Sequence, residues 1–119
     1  MMQIEKLPRW CQEATEGLSE TFGHDFEAIR DGVNAGHLEL FRLWGGAAYM
    51  VTRIDRDTLT VCCYQGERVV EMTRWLRAQC VRKGLRAMQF YTARPGLERM
   101  LREFDFRLQE MVYRAQVAA

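Results

Sequence analysis

Residues 58 to 84, TLTVCCYQGERVVEMTRWLRAQCVRKG, contain the pattern on which the fold prediction rests. The first seven of them, 58–64, contain a run of β-branched side chains, which predicts a strand. Apolar residues then recur at helical spacing, and Gly84 ends the helix predicted over 67–83. The residues between them, YQGE at 64–67, predict a tight turn. A strand that passes through a glycine turn into a helix is typical of phosphate-binding sites, because the first N–H groups of the helix have no partner.

The helix over 67–83 is amphipathic, and it is followed by a further predicted strand over 85–92. Its apolar arc consists of Val69, Met72, Thr73, Leu76 and Cys80, with the arginines outside that arc. A strand–helix–strand unit needs a right-handed crossover. The strands at 58–64 and 85–92 are therefore predicted to be parallel to each other.

The same patterns predict the elements on either side of this unit. The other strands are expected at residues 3–7, 38–44, 47–55 and 106–117. The other helices are expected at residues 8–22, 26–35 and 96–104, with Gly23 and Gly36 ending the first two. Gly45-Gly46 predicts a two-residue hairpin turn. The chain is thus predicted to be one α/β domain, residues 1–119, an α+β mixed sheet with element order β-α-α-β-β-β-α-β-α-β.

The composition is that of a globular protein with little net charge. Of the 119 residues, 48% are hydrophobic and 28% are charged, and the formal net charge is +1. A nucleic-acid partner is not expected, because no strong positive field is present. A membrane partner is not expected either, because no apolar run is long enough to span a bilayer. With no signal peptide in view, we expect a cytoplasmic protein.

The four cysteines, Cys11, Cys62, Cys63 and Cys80, form no CxxC pair, and both histidines lie far from them in sequence. No metal site is therefore predicted. We interpret all four as small buried hydrophobic residues with reduced thiols. Cys62 and Cys63 are expected on opposite faces of their strand, because side chains alternate along a strand.

The element order resembles the GNAT (GCN5-related N-acetyltransferase) fold over nearly the whole chain. The best local match is LRAMQFYTARPGLERMLREFDFRLQEMVYRAQV, residues 85–117, which is similar to the family's strand–helix–strand ending. The resemblance implies that acetyl-CoA would lie beside the strand before the long helix, with its pyrophosphate on the helix N-terminus. The cofactor-binding residues implied in this sequence are Cys62, Cys63, Tyr64, Gln65, Gly66 and Arg68.

The stretch YQGERVV departs from the family's loop, which reads Q/R-x-x-G-x-G/A. Gly66 is its single glycine, valines stand at 69–70 where the family has bare backbone, and Glu67 adds negative charge. The family's tyrosine acid corresponds here to Leu101, which cannot transfer a proton. We therefore interpret the turn as a remnant of a phosphate-binding site, and no bound cofactor is expected.

Catalytic candidates remain on two strands. Glu39 and Glu110 are candidate bases, and Tyr113 is a candidate for proton transfer near the C-terminus. Each has an ordinary alternative, since strand carboxylates are commonly solvated and strand tyrosines commonly pack in the sheet.

Two functions follow from the resemblance. The favoured hypothesis is a non-catalytic GNAT-fold protein, a structural or interaction module associated with a phage virion, because short GNAT-like proteins occur in tailed bacteriophages. This hypothesis expects a protein partner or self-association, and Trp75, Met111 and Tyr113 are candidate contact residues. The alternative is an acetyl-CoA-dependent N-acetyltransferase with an atypical cofactor loop, in which an amine attacks the thioester directly.

Overall fold

The computed structural model describes residues 3–22 and 25–90, which form a five-stranded mixed sheet with helices on both faces. The strands are β1 (Ile4–Leu7), β2 (Glu39–Leu43), β3 (Ala48–Asp55), β4 (Thr58–Gly66) and β5 (Ala87–Phe90). The helices are α1 (Gln12–Gly17), α2 (Phe26–Asn34) and α3 (Val69–Lys83), and the 3-10 turn Trp44–Gly46 joins β2 to β3. The predicted helix over 96–104 and the predicted strand over 106–117 lie outside the described residues.

The strands lie side by side in the order in which the chain makes them, β1-β2-β3-β4-β5. Each neighbouring pair among β1, β2, β3 and β4 is antiparallel. Strand β5 runs parallel to β4, with Thr58 opposite Ala87 and Val61 opposite Phe90. Helix α3 makes the crossover that a parallel pair requires. The parallel pairing predicted for these two strands is confirmed. None of the helices within the described residues has the length and apolar character needed to cross a membrane.

Alternate side chains of the sheet contribute to two hydrophobic clusters, one on each face. On the face covered by α1 and α2, called here the α1/α2 face, the buried residues are Ala14, Leu18, Phe22, Val33, Leu40, Tyr49, Val51 and Cys63. On the face covered by α3, called the α3 face, they are Leu43, Ala48, Met50, Leu59, Val61, Met72, Leu76 and Cys80. The arc of α3 that the sequence predicts to face inward is buried at Met72, Thr73, Leu76 and Cys80.

Helix α1 is much shorter than its apolar stripe predicts. It spans Gln12–Gly17 instead of residues 8–22, although Leu18 and Phe22 are buried as expected. Gly17 lies against the ring of Tyr49, where a Cβ would stand only 2.2 Å from the ring carbon Cδ2. The helix ends at this contact, and residues 18–21 continue in turns that place Leu18 and Phe22 in the core.

The connection between β2 and β3 is longer than the predicted two-residue turn. Strand β2 ends at Leu43 and β3 begins at Ala48. Trp44 adopts a φ of +49°, in the left-handed region that costs a residue with a side chain about 1–2 kcal/mol. Its N–H donates to the carbonyl of Gln3 at 2.7 Å, so the N-terminal segment holds this connection in place.

Candidate functional site

The turn predicted at residues 64–67 is wrong, because β4 continues through three of those four residues. Tyr64, Gln65 and Gly66 lie opposite Met50, Tyr49 and Ala48 of β3. Cross-strand pairing keeps the backbone extended past the point where the local sequence predicts a turn. The chain turns at Glu67 and Arg68 instead, and α3 begins at Val69 rather than at residue 67.

Gly66 is required by close packing against β3. Its φ is +132°, a conformation that side chains disfavour. A Cβ on Gly66 would lie 2.4 Å from the carbonyl oxygen of Ala47 and 2.5 Å from the Cα of Ala48. Contact with its neighbour strand thus explains the single glycine of this segment. Its presence says nothing about a phosphate, past or present.

The turn between β4 and α3 is fixed by contacts with the β2–β3 connection. The N–H of Glu67 donates to the carbonyl of Ala47 at 3.2 Å. The hydroxyl of Tyr64 donates to the carbonyl of Glu67. The guanidinium carbon of Arg68 lies 5.2 Å from the ring centroid of Trp44, a cation–π contact. The glycine-poor segment is therefore held in one conformation by its neighbours.

The N-terminus of α3 carries the features of an anion-binding site. Arg68 occupies the N-cap in the left-handed conformation, with φ +59°, and its side chain makes no capping hydrogen bond. Among the described residues, no side chain accepts from the first N–H groups of the helix. Val69 packs against the cluster on the α3 face, so its side chain points toward the sheet. The exposed carboxylates of Glu67 and Glu71 oppose an anion here, and the charge of Arg68 offsets part of that effect.

A β-bulge interrupts the pairing of β3 with β4. Val51 lies opposite Cys63 and Thr52 lies opposite Val61, which leaves Cys62 as an extra residue in β4. The bulge brings Cys62 and Cys63 onto the same face, since both contact the α1/α2 cluster. The prediction that they lie on opposite faces is wrong, because the extra residue breaks the alternation of side chains.

The cysteines differ in burial more than the sequence predicts. Cys63 and Cys80 are buried, whereas Cys11 and Cys62 are half-buried, and all four are free thiols. Burial raises the pKa of the Cys63 thiol to about 11, and it also raises the pKa values of Cys62 and Cys80. These three thiols are protonated at neutral pH, which makes them poor nucleophiles. Within residues 3–22 and 25–90, no three His, Cys, Asp or Glu side chains are grouped to hold a metal ion.

Both tyrosine hydroxyls in the described residues are already engaged. Burial and the nearby carboxylate of Glu67 raise the pKa of Tyr64. Its hydroxyl donates to the carbonyl oxygen of Glu67. The hydroxyl of Tyr49 donates to the Glu13 carboxylate at 2.6 Å. The structure therefore offers no free phenol beside β4 in the part of the chain that it describes.

Of the three candidate catalytic residues, the structure describes only Glu39. This residue begins β2, and one of its carboxylate oxygens lies 3.5 Å from Nζ of Lys6. Glu39 lies opposite Thr52, which in turn lies opposite Val61, so it is two strands away from β4. The structure thus separates Glu39 from the group formed by residues 62–68. Glu110 and Tyr113 lie outside the described residues.

A polar network on the α1/α2 face is absent from the sequence predictions. The Arg42 guanidinium bridges two carboxylates, with Nη1 2.7 Å from Glu13 and Nη2 2.8 Å from Glu5. The hydrogen bond from Tyr49, followed by that from Arg42, lowers the pKa of Glu13. Burial, followed by the bond to Glu13, raises the pKa of Tyr49 to about 12. The sequence signal for this network was Arg42 within the mostly apolar strand ELFRL, because a charged side chain that is half-buried in a strand requires a partner.

No protein-family model matches the sequence, and no curated protein matches it. Two solved structures are similar in fold. The first is AAC(6')-Iy in complex with the bisubstrate analogue CoA-S-monomethyl-acetylneamine, with a TM-score of 0.61, 18% identity, and coverage of 100% of this chain and 99% of that one. The second is the GNAT family acetyltransferase SP0256 from Streptococcus pneumoniae TIGR4, with a TM-score of 0.61, 11% identity, and coverage of 98% and 100%. The likeness confirms the predicted fold class, a mixed α+β sheet of the GNAT acyl-CoA N-acyltransferase type.

Proposed function

We propose that this chain binds an acyl-CoA beside residues 62–66 of β4 and at the N-terminus of α3, as an acyl-CoA-dependent N-acyltransferase. The proposal rests on the start of α3, where N–H groups without a side-chain cap lie beside the guanidinium of Arg68, which contacts the ring of Trp44. Similarity to two acetyltransferases over the whole length of the chain supports it, since one of them was solved with a CoA bisubstrate analogue. This reverses the order of the two hypotheses that the sequence favoured.

The residues present fit the phosphate end of acyl-CoA. The backbone N–H groups of Val69 and Val70, together with the Arg68 guanidinium, would hold the pyrophosphate. Inward packing of Val69 takes one of the two valine side chains away from the position that the phosphates would occupy. The carboxylate of Glu67 weakens the site without closing it, because Arg68 stands next to it in the chain.

The bulge in β4 supplies a possible oxyanion donor. When bound, acyl-CoA supplies a thioester, an acyl group activated for attack by an amine. The bulge interrupts the β3–β4 ladder at Cys62, and a backbone N–H of residues 62–64 would stabilise the oxyanion. The proton that the amine loses passes to water or to a base, for which Glu39 acting through water and Glu110 are the candidates. Tyr113 remains a candidate for protonating the departing thiolate.

A second candidate function is a non-catalytic module that retains the fold without acyl transfer. The observation in its favour is that the hydroxyls of Tyr49 and Tyr64 are both committed to other partners. Its narrower form, a virion-associated phage protein, predicts that the chain copurifies with phage particles. Mass spectrometry of purified particles tests that narrower form.

Calorimetric titration with acetyl-CoA tests the binding proposal. We expect a dissociation constant below about 1 mM, which corresponds to about 4 kcal/mol. Arg68→Asn should weaken binding about tenfold or more, because a charged hydrogen bond contributes about 1.5–3 kcal/mol and asparagine tolerates the left-handed conformation. Arg74→Gln is the matched control, since Arg74 is an exposed arginine farther along the same helix. Absence of binding at millimolar acetyl-CoA would overturn the proposal.

A second assay separates the two candidate functions. Release of the free CoA thiol is followed over time with acetyl-CoA and a panel of small amines. Amine-dependent release that falls with Arg68→Asn supports the acyltransferase. Micromolar binding without release for any amine favours the non-catalytic module, which would then retain the CoA site.

A further inference from the structure

In the described residues, the helices on the two faces of the sheet carry opposite charge. The segment that covers the α1/α2 face, residues 11–36, contains six carboxylates and a single arginine, Arg30. Five of those carboxylates are exposed: Glu16, Glu20, Asp25, Glu27 and Asp31. Arg30 is itself paired with Asp31 at 3.1 Å, so this face presents an excess of negative charge to solvent.

The α3 face has the reverse balance. Residues 68–86, which form α3 and its two flanks, contain six cations and a single carboxylate, Glu71. All six cations are exposed: Arg68, Arg74, Arg77, Arg82, Lys83 and Arg86. Among the described residues, Arg74, Arg82, Lys83 and Arg86 form no ion pair.

The separation of charge is built into the topology. The formal net charge of the whole chain is only +1, so the two excesses nearly cancel. They stay apart because α1 and α2 pack on one face of the sheet and α3 packs on the other. Val81 lies on the basic face and is 75% exposed, which makes it the more exposed of the two large hydrophobic side chains that are exposed in the described residues. The acidic α1/α2 face of one copy is therefore complementary in charge to the basic α3 face of a second copy.

We propose that copies of this chain associate face to face, with the α3 face of one copy against the α1/α2 face of the next. Contact between two like faces is opposed by repulsion, so only the unlike pair is favourable. The contact is heterologous, because it joins two different surfaces, and it therefore generates rings or open chains rather than a two-fold dimer. Val81 provides an apolar contact within the basic surface.

Sedimentation velocity of the full chain tests this proposal through its dependence on salt. The Debye length falls from about 30 Å at about 10 mM salt to about 4–5 Å at about 500 mM, so charge complementarity is screened at the higher concentration. We expect association at low salt, with the apparent dissociation constant rising about tenfold or more at high salt. A monomer at both concentrations of salt overturns the proposal.

Two charge-reversed variants sharpen the test. The first, Arg74→Glu with Arg82→Glu, removes most of the positive excess of the α3 face, and the second, Glu16→Lys with Glu27→Lys, removes most of the negative excess of the α1/α2 face. Each variant alone has lost one of the two complementary faces and should be monomeric at low salt. Mixed in equal amounts, the two variants present unlike faces to each other and should associate again.

Restored association in the mixture distinguishes a face-to-face contact from misfolding, because a misfolded variant is not rescued by a partner. Circular dichroism and thermal melting of each variant confirm that it folds. Two folded variants that stay monomeric when mixed, or that each associate alone as the unaltered chain does, overturn the proposal. Acetyl-CoA is absent from these experiments, so their outcome is independent of the proposed enzymatic function.

Discussion

Replacing Gly66 with alanine tests the strand-packing role that the structure gives this residue. The new Cβ would stand 2.4 Å from the carbonyl oxygen of Ala47, and 2.5 Å and 2.6 Å from the Cα and Cβ of Ala48. All three contacts are far shorter than van der Waals separations, and two of them involve backbone atoms. The β2–β3 connection or the end of β4 must therefore move to admit the side chain.

The expected loss of stability has two parts. A residue with a side chain at φ +132° costs about 1–3 kcal/mol, because this region of backbone conformation belongs almost only to glycine. Crowding a packed contact costs about 1–3 kcal/mol more. The sum, about 2–6 kcal/mol, is a large fraction of the roughly 5–15 kcal/mol by which a domain is stable. At about 4 °C for each kcal/mol in a chain of this length, Tm should fall by about 8 °C or more.

Gly36→Ala is the matched control, because Gly36 also has a positive φ, +84°, yet a Cβ there would meet nothing within 4 Å. It should cost only about 1–2 kcal/mol, the conformational part alone. Urea denaturation and thermal melting of both variants measure the difference, which reports the crowding against β3 together with any additional strain at φ +132°. Equal losses for the two variants would refute the packing argument. A Gly66→Ala chain that stays stable but no longer binds acetyl-CoA would instead assign the glycine to a phosphate.

The remaining predictions concern the core, the thiols and the response to acid. Leu76→Ala should lower the free energy of unfolding, measured in urea, by about 2–5 kcal/mol. Val81→Ala should change it by less than about 0.5 kcal/mol, because this side chain is 75% exposed. Similar losses for the two variants would contradict the assigned face of α3. The Cys63 thiol should react with a thiol reagent only as fast as the chain opens, since burial raises its pKa to about 11, and labelling at the rate of a free thiol would be inconsistent with this. The pKa of Glu13 is lowered in the folded chain, so the stability it contributes is present above its ordinary pKa and is lost as pH falls through the lowered value. Tyr49→Phe removes the largest cause of the lowered pKa, so in urea denaturation from about pH 3 to 7 the acid-dependent loss of stability should be smaller and should end at higher pH than in the unaltered chain. An unchanged acid profile would contradict the assignment.

The position of the β4–α3 junction was predictable from the sequence, but its contacts were not. Residues 62–68 do lie at the junction of β4 and α3, because a β-branched run followed by helical periodicity locates that junction. Their roles were not predictable. Gly66 resembles a turn glycine until Ala47 and Ala48, nearly twenty residues earlier in the chain, are found against it. The cation–π contact between Arg68 and Trp44 likewise joins two segments that no local sequence pattern connects.

Within the described residues, the sequence alone predicted the order of the elements, the inward arc of α3, the residue that ends it, and the parallel pairing of β4 with β5. These features depend on spacing within a few residues and on the handedness of a crossover, both of which are local or general. The tertiary structure decided where β4 ends, that Cys62 and Cys63 share a face, and that α1 stops at Gly17 against Tyr49. It also placed the acidic segment and the basic segment on opposite faces of one sheet. Each of these depends on which partner strand or ring meets the backbone, and that contact exists only once the chain has folded.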